Sequence, residues 1–314
     1  MGLEFQLELT EADRAFQDEA ESRKPNTRCL DDLYFLDVGD FLSEMDIVDA
    51  KISLIRREDC RFLRGSYRIP LLVETDDNRF IIKDYDGYDY LREIAILEKV
   101  SGVIAPKVLH FGTDMYAEKY LDSEQFSSLN KLADARDPNS EELGSIIYIG
   151  VWMHAELAKL EINYHHNHWM DEFFITTNPL EDQERKIVDF GKSFFFFSEE
   201  DMSCLISGGL PSSANGDYID IMVAINRCAR IKSNIINGSS KYLGQFLVDN
   251  EGKDEQIKAL LGMQPLQAAN VLYVLEFLED GLKTYFRTTG NDPSNTITLL
   301  KPKYTQTFFD CYLS

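Results

Sequence analysis

The sequence predicts an α+β fold in which a strand-rich segment precedes a longer, mostly helical one. Between residues 51 and 121, five short apolar runs are bounded by turn residues, which is the pattern of β-strands. Beyond residue 122 the apolar residues recur at helical spacing over longer segments. We therefore expect a small five-stranded antiparallel sheet followed by a larger, mostly helical part.

The net charge and the cysteine content of the chain indicate which kinds of partner and compartment are favoured. The 314 residues carry a net charge of −22, with a pI near 4.6. This charge disfavours binding to nucleic acid or to an anionic membrane and favours a basic protein partner, although an acidic surface that only aids solubility is the alternative. The five cysteines form no CxxC pair, which is typical of reduced thiols in a cytoplasmic compartment. We see no signal-peptide pattern and no apolar window long enough to span a bilayer.

The first predicted strands span residues 51–56, 69–75 and 79–85. Residues 1–50 before them have mixed acidic and apolar patches, and we expect an extension that packs on the strands. Gly65 and Ser66 lie in the connection between the first two strands, where five arginines either bind phosphate or form a solvated basic edge. Lys83 lies near the end of the third strand.

A helix is predicted over residues 87–102, with Gly102 as its C′ residue and Glu93 among its polar positions. Two further strands follow at 107–111 and 115–120. The last of them leads through Ala117, Glu118 and Tyr120 into a polar linker.

The stretch from Tyr164 to Gly191 concentrates the polar side chains. A polar turn contains His165, His166, Asn167 and His168, and Glu172 precedes a strand at 173–176. A second strand ends at Val188 and is followed by Asp189, Phe190 and Gly191. Helices are predicted before this stretch at 137–160 and after it at 218–231 and 265–285, with four phenylalanines (194–197) as a buried plug and a loop at 198–216.

The order of these features resembles the protein-kinase-like superfamily over about residues 51–240. The resemblance is carried by Lys83, by Glu93 and by the Asp-Phe-Gly sequence at Asp189. It implies a two-lobed fold with a small lobe at 51–121 and a larger, mostly helical lobe at 122–314. Within this family the chain is most similar in character to degenerate kinases and pseudokinases such as those of large DNA viruses, which would place it in a virion or host cell.

The resemblance also implies that the protein binds ATP with Mg²⁺ in a cleft between the lobes. Lys83 would contact the phosphates and Glu93 would orient Lys83. The remaining nucleotide contacts would come from Gly65 and Ser66 over the phosphates and from the main chain of Glu118 to Tyr120 around adenine, with Ala117 at the back of the pocket.

Aligning the strand at 173–175 with the family pattern puts Asn167 where a kinase has its catalytic Asp. The resemblance then implies that Glu172 occupies a metal-binding position and that Asp189 would be the other metal ligand. An amide does not accept a proton at neutral pH, so we expect impaired or absent transfer to Ser or Thr of a protein. His166 or His168 would be the substitute base, because a neutral imidazole accepts a proton near pH 7.

Two functional alternatives stay open. One is a pseudokinase scaffold that binds a protein partner without catalysis. The other is a phosphotransferase acting on a small molecule, as aminoglycoside and choline kinases do, which the short segment after Gly191 would suit. For the histidine cluster itself, a zinc or copper site is the alternative to a polar loop.

Overall fold

The chain divides into two compact units, Met1–Ser123 and Glu124–Ser314. The computed structural model describes residues 4–7, 32–54, 70–85, 90–134, 141–177, 184–206, 219–237, 262–289 and 293–314. Among these residues there is no helix with the length and hydrophobicity needed to cross a bilayer.

The N-terminal unit is built on a six-stranded sheet. Its strands are β1 (Glu4–Leu7), β2 (Asp49–Leu54), β3 (Leu71–Glu74), β4 (Arg79–Asp84), β5 (Val108–Phe111) and β6 (Met115–Lys119), in the spatial order β1-β2-β3-β4-β6-β5. The five predicted strands pair antiparallel, as expected. A sixth strand, β1, adds parallel to β2 from a segment in which the sequence predicts no strand.

Helix α1 (Asp32–Glu44) covers one face of this sheet. Its Val38, Phe41 and Leu42 are almost fully buried. They pack against alternate side chains of the strands, because a strand turns every second residue to the same face. The strand residues of this core are Ala50, Ile52, Leu71, Val73, Phe80, Ile82, Met115 and Ala117.

The other face of the sheet carries the polar residues. Lys83 of β4 is directly opposite Tyr116 of β6, and Ile81 is directly opposite Glu118. Since residues opposite each other share a face, these four point away from α1. Helix α2 (Tyr90–Val100) follows β4 and ends before Gly102, whose φ of +73° is the left-handed conformation predicted for a C′ glycine.

Helices make up most of the C-terminal unit. They are α3 (Leu129–Asp134), α4 (Glu141–Lys159), α5 (Trp169–Glu172), α6 (Glu199–Ile206), α7 (Ile219–Ile236), α8 (Pro265–Thr288) and α9 (Pro293–Tyr312). Helix α4 packs on α9, and α8 packs on both α7 and α9. Trp169 is fully buried, and glycines make room for it: a Cβ at Gly150 would lie 2.2 Å from the indole, and one at Gly281 would lie 2.3 Å from it.

Two small sheets hold the stretch between α4 and α6. Strands β7 (Phe126–Ser128), β9 (Phe173–Thr176) and β10 (Arg185–Ile187) pair in the order β10-β9-β7, and β8 (Ile162–Asn163) pairs with β11 (Phe194–Phe195). All these pairs are antiparallel. The strands at 173–176 and near 186 were predicted, whereas β7, β8 and β11 were not.

The predicted fold class is confirmed: a small sheet precedes a mostly helical unit. The expected loop at 198–216 is wrong for its first part, because α6 begins there. Ser198 and Asp201 form a reciprocal cap, in which the Asp201 N–H donates to Ser198 Oγ at 3.2 Å and the Ser198 N–H donates to the Asp201 carboxylate at 2.6 Å. The phenylalanine plug is only partly buried, since the Phe195 side chain is 36% exposed.

Candidate functional site

Lys83 lies on the face of the sheet away from α1, and its ammonium contacts a carboxylate. Lys83 Nζ is 2.5 Å from Oε1 of Glu118 on the neighbouring strand. The two side chains are only 15% and 2% exposed, so water screens the pair weakly. The sequence predicts a main-chain role for Glu118, whereas strand alternation turns its side chain towards Lys83.

Glu93 lies in the same unit, buried in the first turn of α2. Burial raises the pKa of the Tyr85 phenol, and the nearby Glu93 carboxylate raises it further. The Tyr85 ring stacks on Tyr116 with 5.4 Å between ring centroids, and Tyr116 is the residue opposite Lys83. Two tyrosines therefore connect the surroundings of Glu93 with those of Lys83. The predicted Lys83–Glu93 ion pair stays a prediction.

The segment predicted as the hinge follows β6. The Arg79 guanidinium lies 4.8 Å from the centroid of the Tyr120 ring, and the Tyr120 N–H donates to the Arg79 carbonyl at 3.4 Å. The expected position of Ala117 at the back of a pocket beside Lys83 is wrong, because Ala117 is opposite Ile82 and packs in the core under α1. Gly65 and Ser66 lie outside the described residues.

In the C-terminal unit, the peptide before Asp189 is held from two sides. The Val188 N–H donates to the Glu172 carbonyl at 3.0 Å. The Tyr164 hydroxyl donates to the Val188 carbonyl at 2.7 Å, and both residues are buried. The Phe190 side chain is 1% exposed and packs edge-on against the Tyr164 ring. The sequence gives Tyr164 no such role, and no pattern in it indicates one.

Asp189 itself has a backbone that few residues other than glycine adopt. Its φ is +63°, and its side chain is 42% exposed between the buried Val188 and Phe190. A non-glycine residue in the left-handed region costs free energy, and such residues cluster at functional sites. The anchored backbone therefore presents this carboxylate in a defined direction.

His166 lies beside Asp189, with 3.6 Å between Nε2 and Oδ1. Burial on its own lowers the pKa of the imidazole, but the Asp189 and Glu172 carboxylates outweigh it and the net pKa is raised. Glu172 is 2% exposed and follows the same turn. The structure thus brings together three of the predicted residues, His166, Glu172 and Asp189.

The other two catalytic candidates of the turn, Asn167 and His168, are exposed. The His168 side chain is 43% exposed, and its Nδ1 is 4.0 Å from Oδ2 of Asp171. Asp171 in turn accepts a hydrogen bond of 2.6 Å from the Asn130 amide.

The histidines do not form a joint metal site. Nδ1 of His165 is 3.1 Å from the Tyr273 hydroxyl and its ring stacks on Phe277, while His166 and His168 face different aspartates. No group of three or more metal-ligating side chains occurs in the described part of the chain. In the described residues, the three histidines therefore do not converge on a common zinc or copper position. A Mg²⁺ ion bound mainly through a nucleotide needs only one or two carboxylates, and Asp189 is accessible enough to be one.

His154 of α4 is surrounded by aromatic rings. Its imidazole is 3% exposed among the rings of Tyr164, Trp169 and Phe173. Burial lowers its pKa to about 3, so the ring is neutral at pH 7. Both ring nitrogens and both amide atoms of Asn163 are buried without a hydrogen-bond partner, and both residues line a cavity of about 10 Å³.

Comparison with known proteins gives remote similarities. No protein-family model and no curated protein matches the chain. Among solved structures, WaaP in complex with acyl carrier protein is 12% identical over 81% of this chain and 88% of that one, with a TM-score of 0.34. The Rad53 kinase domain with SCD2 is 16% identical over 71% and 88%, with a TM-score of 0.32. An ethanolamine kinase of Plasmodium vivax is 13% identical over 96% and 97%, with a TM-score of 0.34.

The order of elements is the one that the resemblance predicted. Five antiparallel strands with Lys83 on the third, an intervening helix with Glu93, a long helix, and a turn leading to Asp189 follow in sequence. Identities of 12–16% transfer neither a substrate nor a chemical step to this chain.

Proposed function

We propose that the protein binds a nucleoside triphosphate, ATP, together with Mg²⁺, and that its phosphotransfer to Ser or Thr of a protein is impaired or absent. The observation that carries the proposal is the backbone at Asp189. Hydrogen bonds to both sides of Val188 hold a left-handed aspartate whose carboxylate is accessible to a ligand. Such a conformation persists only where surrounding structure supports it, and here that structure is specific.

Lys83 supplies the second requirement for binding a polyphosphate. It lies on the β4 face away from α1, and a lysine contributes a compact positive charge to phosphate oxygens. Bound Mg²⁺ would neutralise phosphate charge. Asp189 fits the role of its protein ligand best, because Glu172 is buried and lies close to His166.

Weak transfer follows from the residues of the turn. The Asn167 amide cannot act as a general base, and loss of a base costs roughly 10²–10⁴-fold in rate. His166 is a poor replacement, since Asp189 and Glu172 raise its pKa and so reduce the fraction of neutral imidazole at pH 7. His168 is exposed and faces Asp171.

A scaffold that binds a basic protein partner is the second candidate. It is favoured by the net charge of −22 together with the amide at position 167. The two candidates share the nucleotide site, and any phosphate transfer by the protein would exclude the scaffold.

Nucleotide binding is tested by thermal unfolding with ATP and Mg²⁺. Saturation at 100 times Kd should stabilise the protein by about 2.7 kcal/mol. Lys83→Met and Asp189→Asn should each abolish the effect. The matched controls are Lys119→Met, an exposed lysine of β6, and Asp46→Asn, an exposed aspartate with φ of +59°, and both should keep it. No stabilisation at several millimolar nucleotide would exclude ATP binding.

Transfer is tested with Asn167→Asp and a generic protein substrate. A rise of about 10²-fold would show that the missing base limits an otherwise competent site. Activity at background while ATP still binds would favour the scaffold. Activity above background in the unmodified protein that disappears with Asp189→Asn would exclude it.

A further inference from the structure

The Lys83 ammonium is already paired with the carboxylate of Glu118, which affects how it can bind a nucleotide. The Glu118 carboxylate is 2% exposed and lies 2.5 Å from the ammonium that the proposed function assigns to phosphate. A carboxylate this deeply buried depends on its counter-ion, because an ionised group without a partner is strongly disfavoured in a protein interior. Phosphate oxygens that approach Lys83 must therefore share the ammonium with Glu118 or displace it.

The surrounding side chains do not relieve this competition. Tyr116, opposite Lys83, and Tyr85, stacked on it, are neutral phenols. The pKa of Tyr85 is raised by burial and then by Glu93, so a second carboxylate contributes negative potential near the ring that stacks on Tyr116. The local charge favours keeping Lys83 on Glu118.

We propose that Glu118 is an affinity-determining residue, whose buried carboxylate competes with the phosphate groups of a nucleotide for the Lys83 ammonium. This inference rests on the proposed nucleotide binding. It makes the protein a weak binder in its unmodified form. It also gives selectivity, because a ligand with one phosphate offers less negative charge to replace the carboxylate than a triphosphate does.

The first measurement is the Kd for ATP with Mg²⁺ in the unmodified protein and in Glu118→Gln, which keeps the shape and removes the charge. We expect binding about tenfold tighter in the variant, because the charge that competes for the ammonium is removed. Glu74→Gln is the control: Glu74 pairs with Arg79 in the same sheet at 2.9 Å but is 35% exposed. Its Kd should stay within about twofold of the original.

The second measurement does not involve nucleotide. Labelling of Lys83 with an amine-reactive ester, followed by peptide mass spectrometry, reports the fraction of neutral amine. Removing the carboxylate should raise this fraction and accelerate labelling about tenfold in Glu118→Gln, because a nearby opposite charge favours the ammonium form. The control Glu74→Gln should label at the original rate.

The two measurements separate the possible failures. If the unmodified protein binds ATP and Glu118→Gln binds it equally or more weakly, Glu118 does not compete with the phosphates for Lys83. Unchanged labelling would show that Glu118 does not stabilise the ammonium form of Lys83. Faster labelling without ATP binding in either protein refutes the proposed function and leaves Glu118 as a structural counter-ion only. If Glu118→Gln unfolds, Glu118→Asp replaces it, since a carboxylate shortened by one methylene should give a smaller gain in both measurements.

Discussion

Two histidines of the C-terminal unit, both in contact with Tyr164, have opposite protonation behaviour. His154 lies on one side of that ring among Trp169 and Phe173, and burial lowers its pKa to about 3. His166 lies 5.4 Å from the same ring, and its pKa is raised because Asp189 and Glu172 outweigh burial. The comparison shows that burial alone does not decide the charge of an imidazole here: the presence of carboxylates does.

The largest expected effect comes from removing Trp169, whose ring packs against the imidazole of His154. Trp169→Ala should destabilise the protein by about 3–5 kcal/mol in urea unfolding, because the fully buried indole leaves a cavity. The other tryptophan, Trp152, is the control: it is half-buried under the Arg185 guanidinium, 4.0 Å from its ring, and Trp152→Ala should cost about 1 kcal/mol. Equal losses for both variants would mean that Trp169 is not the centre of this core.

The second largest expected effect is on the pH dependence of stability, through His154. The folded pKa of His154 lies below its unfolded value of 6.5, so the unfolded chain takes up the proton first as the pH falls. Its contribution to stability is complete above pH 6.5 and is lost towards pH 3, a change of a few kcal/mol at about 1.4 kcal/mol per pKa unit. His154→Phe should remove this part of the pH dependence in unfolding measured between pH 3 and 7. His168→Gln should retain it, and a slope that survives in His154→Phe would contradict the assignment.

The smallest expected effect is the contribution of His166 to the free energy of unfolding. The raised pKa of His166 adds stability that is present below its unfolded pKa and is lost as the pH rises through the folded pKa. The Asp189 side chain is 42% exposed, so we expect this contribution to stay below about 1 kcal/mol. The decisive measurement is an NMR titration of the imidazole, in which Asp189→Asn should lower the pKa of His166. Asp171→Asn should not change it, and an unchanged value in Asp189→Asn would remove Asp189 as the cause.

The elements of the fold were largely predictable because their signals are local. Strand alternation and turn residues located β2 to β6, and helical spacing located α2, α4 and α8. The missed α6 also has a local signal, since Ser198 and Asp201 have the spacing of a capping box. Strand β1 could not be predicted, because its pairing with β2 depends on residues more than 40 positions away.

The sequence identified residues of the candidate site, but it did not identify which of their side chains contact one another. Period-two alternation along β6 already puts Glu118 on the face of Tyr116, yet its proximity to Lys83 requires the pairing of β4 with β6. The proximity of His166 to Asp189 depends on the main-chain bond between Glu172 and Val188, which no spacing of residue types reveals. Sequence patterns specify which groups are available, and long-range pairing specifies which of them meet.

Strand β1 and helix α1 have a practical consequence for expression. A fragment that begins at residue 51 would remove β1 and so leave β2 as an open edge with unpaired backbone groups, a template for aggregation. It would also remove Ala50 together with Val38, Phe41 and Leu42, so the other seven apolar side chains of the sheet core would face solvent. The smallest soluble form of the N-terminal unit should therefore retain the chain from β1 onward, although the features that resemble a kinase begin only at residue 51.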